Sequence, residues 1–142
     1  MITWILPFVL LFEPAVFQNK KGAVGEFEGT WVAIKSEFDG KPLNSYLVSK
    51  FKVQIEGNIW TSLGPFGERQ EYYVKWNTKT DPKEIDLTEK NGQEKGETVY
   101  GIYAFDQQVL EVCFSQPGKK RPTEFKTSKG SGQSLHFQKK EK

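Results

Sequence analysis

Residues 29–38 read Gly29-Thr30-Trp31-Val32-Ala33-Ile34-Lys35-Ser36-Glu37-Phe38. β-Branched and aromatic side chains dominate the stretch, and Asp39-Gly40 follows it as a turn signal. Residues 30–38 are therefore expected as a first β-strand. Downstream, Leu43, Tyr46 and Leu47 recur at helical i, i+3, i+4 spacing, which predicts a short helix within 42–50. Phe51, Val53 and Ile55 then alternate with polar residues as far as Gly57-Asn58. Strands are expected at 59–63, 69–77 and 84–88, and a hairpin from 98–105 to 108–115 across Asp106-Gln107. The Pro- and Gly-containing stretch 116–123 and the segment 128–132 read as loops before a last strand at 134–139. That makes eight short strands and no helix long enough for a parallel βαβ crossover. The expected class is all-β.

Most of these strands carry one apolar and one polar face, as when a single face packs inward. Eight strands closed on themselves also leave no edge to template aggregation. At that number the interior either fills with side chains or holds one small ligand. The alternation alone does not separate such a barrel from a Greek-key sandwich.

Composition narrows the function classes. The chain has 142 residues, enough for one domain, with 20 Lys+Arg against 18 Asp+Glu. A net charge of +2 argues against nucleic acid as the defining partner. One Cys precludes an intramolecular disulfide, and one His with one Cys precludes the common zinc sites. No phosphate-cradling glycine motif occurs. Asp86 and Glu97 stand at the first and last positions of an EF-hand spacing, but Asn91 occupies the place of its glycine, and the reading fails. Residues 2–12 form an apolar run too short to span a bilayer and of the length of a signal-peptide core. Residues 1–25 are read as an exported leader and linker and 26–142 as the domain; an N-terminal strand or tail packed on the domain is the alternative. The domain is expected to be monomeric, without stable membrane insertion and without a cofactor.

Gly29-Thr30-Trp31 on the first strand resembles the lipocalin G-x-W motif, in which the Trp plugs the closed end of an eight-stranded up-and-down barrel. The resemblance implies a cation from just after the last strand lying across the Trp31 indole, here assigned to Lys139. Over 28–142 the chain resembles a small lipocalin-like, calycin-type domain family abundant in planctomycete bacteria. The stretches that carry this are Gly29-Thr30-Trp31, Asp39-Gly40-Lys41-Pro42, Ile85-Asp86-Leu87-Thr88, Gly101-Ile102-Tyr103, Leu110-Glu111-Val112-Cys113-Phe114 and Arg121-Pro122-Thr123-Glu124-Phe125. The family implies a lipocalin-like barrel and, in many members, export; it implies no reaction. In such barrels the connection after the first strand covers the open mouth, so the helix near 42–50 is either a lid or a plain cap.

Following the phase of Trp31, Phe51, Val53, Tyr72, Val74, Trp76, Tyr103, Phe105, Leu110, Val112, Phe114, Leu135 and Phe137 are expected to point inward. Trp60 is ambiguous. Trp60, Tyr72, Trp76 and Tyr103 bring rings with polar handles and are the candidate ligand-binding residues. Whether those rings line a cavity or simply fill the barrel stays open. His136, between Leu135 and Phe137, is expected on the solvent face, so no nucleophile–base pair is assigned. Cys113 is read as a small hydrophobe covered by the following loop. Lys119, Lys120 and Arg121 form the densest positive cluster, either an anion or partner site or solvated loop charges, with Arg121 bracing the loop through Glu124 as a further structural reading. The expected function is non-enzymatic binding of a small apolar or aromatic molecule. The alternative is a protein-interaction or inhibitor module that uses the loop 118–124.

Overall fold

The computed structural model describes residues 25–142; the apolar run at 2–12 and the rest of the expected leader lie outside the described residues. Nine strands follow one another: β1 (Gly29–Phe38), β2 (Lys41–Pro42), β3 (Lys52–Glu56), β4 (Ile59–Leu63), β5 (Arg69–Asn77), β6 (Lys83–Glu89), β7 (Thr98–Asp106), β8 (Val109–Phe114) and β9 (Ser134–Lys140). A single helical turn, α1 (Ser45–Val48), stands between β2 and β3. Each strand from β3 to β9 pairs antiparallel with the next, and β1 pairs with both β3 and β9. The ring is thereby a closed eight-stranded up-and-down barrel, with β2 an added two-residue pairing at the end of β1.

Local chemistry explains the ends of these elements. The Asn44 side chain accepts from the Tyr46 and Leu47 amides at 2.8 and 3.3 Å and so caps α1. The β7–β8 hairpin turns on Gln107 and Gln108, with φ of 51° and 68°, one residue later than Asp106-Gln107. Positive φ at two successive central residues matches the right-handed twist of the flanking strands.

One end of the barrel is packed shut. Trp31 is 1% exposed and its Nε1 donates to the Phe27 carbonyl at 2.8 Å. The Phe27 ring stacks on Trp76 at 4.6 Å and meets Tyr103 and Phe105 edge-on at 5.8 and 5.4 Å. Lys140, and not Lys139, supplies the cation: its Nζ lies 5.5 Å from the Trp31 ring centroid and donates to the Glu26 carbonyl. The register explains the change, because Lys140 is directly opposite Trp31 whereas Lys139 pairs with Val32. Gly29 makes room for it. With φ +133°, a Cβ there would be 3.3 Å from the Lys140 stem.

The phase of β9 is the opposite of the one expected. The β1–β9 register shifts between Ala33 and Lys35, a bulge that leaves Ile34 50% exposed. Beyond it the buried side chain of β1 is Ser36, and its partner is His136. Leu135 and Phe137 consequently face outward, where they pack with Ile102, Cys113 and Phe125 in a second apolar cluster. The barrel thus has an apolar layer outside as well as inside. That outer layer is covered locally, with Cys113 Sγ 3.5 Å from the Lys126 carbonyl.

Candidate functional site

Above the packed end the barrel is hollow. A cavity of about 550 Å³ extends from the level of Trp60 to the mouth between the β1–β3 connection and the β4–β5 turn. Its two sides differ in chemistry. β9 sends Ser134, His136 and Gln138 inward at alternate positions, next to Ser36 of β1. In ring order β5 is the strand opposite β9, and it contributes Tyr72. Trp60 of β4, Leu87 of β6, Val99 of β7 and Phe114 of β8 complete a largely apolar and aromatic wall.

The polar side carries one hydrogen-bonded pair and one unsatisfied amide. Ser36 Oγ and His136 Nδ1 share a hydrogen bond of 2.9 Å. Burial among apolar neighbours lowers the His136 pKa to about 4, so the ring is neutral at pH 7 even though it is only half-buried at the cavity edge. Gln138 is 4% exposed and its amide oxygen has no hydrogen-bond partner among the described residues. An unsatisfied buried acceptor of this kind costs ~1–3 kcal/mol. Trp76 Nε1 and Thr80 Oγ1 are likewise buried without a partner among the described residues, but of the three residues only Gln138 borders the cavity.

The Ser36–His136 contact pairs a hydroxyl with an imidazole whose pKa burial holds below its ordinary value. A ring with a pKa near 4 is a weak base at neutral pH. Among the described residues no carboxylate hydrogen-bonds its other nitrogen to orient it. The pair is a neutral polar patch on the cavity wall. Among the described residues no group of three or more His, Cys, Asp or Glu side chains is placed to hold a metal ion.

The four aromatic candidates divide. Trp60 is 2% exposed and borders the cavity, with its Nε1 satisfied by Ser62 Oγ at 3.1 Å. Tyr72, its cross-strand partner, also borders the cavity; burial and then Glu89 push its hydroxyl pKa up. Trp76 and Tyr103 do not border it. They belong to the packed end, their rings 4.9 Å apart against Phe27, and burial pushes the Tyr103 hydroxyl up to about 12. Phe51 lies at the mouth, 38% exposed, beside Leu43. These two flank α1, which leaves Tyr46 69% exposed while burying Val48.

The basic loop divides as well. Lys119 and Lys120 are exposed. Arg121 folds back onto the barrel wall. It reaches Asp86 at 2.7 Å and Glu84 at 3.7 Å, donates to the Gly101 carbonyl at 2.9 Å and lies over the Tyr100 ring. Glu124 pairs with Lys126 instead, at 3.7 Å. The guanidinium fork is thereby occupied within the chain and braces the strap over Cys113. Comparison with protein-family models, with curated proteins and with solved structures finds no match.

His136 and Gln138 were hidden from sequence reasoning by the reversed phase of β9, and Ser36 by the bulge in β1. The signal that could have found them is Ser134-x-His136-x-Gln138 itself, a polar alternation in a closing strand.

Proposed function

We propose that this chain is a lipocalin-like, non-enzymatic binding protein that holds a small apolar or aromatic molecule inside its barrel. The observation that carries this reading is the cavity of about 550 Å³ with Trp60 on one side and the unsatisfied Gln138 amide on the other. Ligand pockets are typically ~300–1,000 Å³, mainly apolar, with a few polar groups that orient the occupant. Filling such a space with a ligand offers ~25 cal/mol per Å² of apolar surface removed from water. The packed end supports the same reading, because Trp31 and Phe27 take up the rings that would otherwise crowd the interior. An exported address fits the apolar run at 2–12 and belongs to the proposal.

The test is titration with a hydrophobic fluorophore while tryptophan emission is followed. One saturable site is expected, with quenching that weakens in Trp60→Phe. Val99→Trp, on the cavity wall, is expected to abolish uptake while far-UV circular dichroism stays unchanged. Absence of saturable quenching, or full uptake by Val99→Trp, would defeat the reading.

A further inference from the structure

The chemistry of the wall narrows the class of molecule, an inference that rests on the binding function just proposed. Gln138 is almost fully buried, borders the cavity and is the first inward residue of β9 beyond the Trp31 plug. Among the described residues no group satisfies its amide oxygen. The terminal amide torsion is broad and roughly two-fold, so a half turn brings either the oxygen or the NH2 group to the cavity. The amide therefore matches a head group that both donates and accepts.

Charge is excluded by the same wall. The charged residues bordering the cavity are Lys52, Glu68 and Arg69. Lys52 is engaged with Glu141 at 3.0 Å and Arg69 with Glu71 at 3.4 Å. Glu68 Oε1 accepts from the Phe66 amide at 2.8 Å in the β4–β5 turn. Beside Gln138 stand Ala33 and Leu110, with the uncharged Ser36–His136 pair one inward step along β9. A carboxylate placed there would accept from the amide but would bring an unpaired charge into low dielectric.

We infer that the cavity selects an uncharged apolar molecule bearing a hydroxyl or amide head, which pairs with the Gln138 side chain, and rejects the corresponding carboxylate. Three probes with one ring body separate the possibilities: naphthol, naphthalene and naphthoate, each titrated calorimetrically into the full chain at neutral pH. Naphthol is expected to bind about tenfold more tightly than naphthalene, the ratio one well-made hydrogen bond supplies, and naphthoate more weakly than both. In Gln138→Leu, naphthol should fall to the affinity of naphthalene, which should itself hold or improve. Gln138→Met gives the same comparison with an unbranched side chain, should the leucine variant fail to fold. Naphthoate binding as tightly as naphthol, or a naphthol preference that survives both substitutions, would overturn the inference while leaving the binding function standing. Failure of all three probes to bind would overturn both.

Discussion

His136 shows how one side chain can be a surface residue by alternation and an interior one by geometry. Its neighbours Leu135 and Phe137 are apolar, yet they point away from the barrel axis and the imidazole points in. Burial depresses its pKa from 6.5 to about 4. The unfolded chain therefore binds a proton between those values that the folded chain does not. Stability from this residue is complete above pH 6.5, falls as pH drops toward 4 and is flat below. With water able to enter the cavity beside the ring, the loss is expected to be about 2 kcal/mol. Urea unfolding at pH 7 and pH 4.5 measures it: His136→Gln should flatten the difference by that amount. An unchanged pH dependence in the variant would show that the ring titrates normally.

At the scale of elements, the alternation of apolar residues identified the strands because each has one face against the barrel interior. It failed in β9 because a second apolar layer lies outside, beneath residues 115–127, and in β1 beyond Ala33 because a bulge at Ile34 resets the phase. Neither is visible locally: the Arg121–Asp86 bridge joins residues 35 apart in the chain. On the inner face, Gly101 makes room for the Phe114 ring, since a Cβ there would sit 2.5 Å from it. The short helix was legible from Leu43, Tyr46 and Leu47, although only Val48 of α1 is fully buried.

That strap carries its own prediction. Cys113 is buried, and burial pushes its thiol pKa up, so it is a poor nucleophile in the native fold. Arg121→Ala leaves Asp86, Glu84 and the Gly101 carbonyl without their cation, a loss of about 2 kcal/mol spent mainly on the strap. Thiol labelling under native conditions should accelerate at least about tenfold, since each 1.4 kcal/mol of local opening is tenfold in population. Labelling as slow as in the parent chain would mean that the strap is held without the arginine.

For the whole molecule, the spacing of turns gave the number of strands, whereas closure of the ring and the identity of its plug were expected only from the resemblance of Gly29-Thr30-Trp31 to the lipocalin G-x-W motif. Phe27 was not, because it precedes the first strand and has no periodic partner. Nor was the division of the interior, which depends on how many rings the packed end takes up. Trp76 and Tyr103 are in the packed end and Trp60 and Tyr72 border the space above it. The barrel is thus packed at one end and hollow at the other, and the hollow part has one polar wall. Nuclear magnetic resonance of the isotope-labelled chain during titration with naphthol locates the occupant directly. The largest shifts are expected at the Gln138 side-chain NH2 and the Trp60 indole N–H, with Lys119 and Lys120 unmoved. Shifts confined to the outer loops, or none at saturating probe, would contradict an internal binding site.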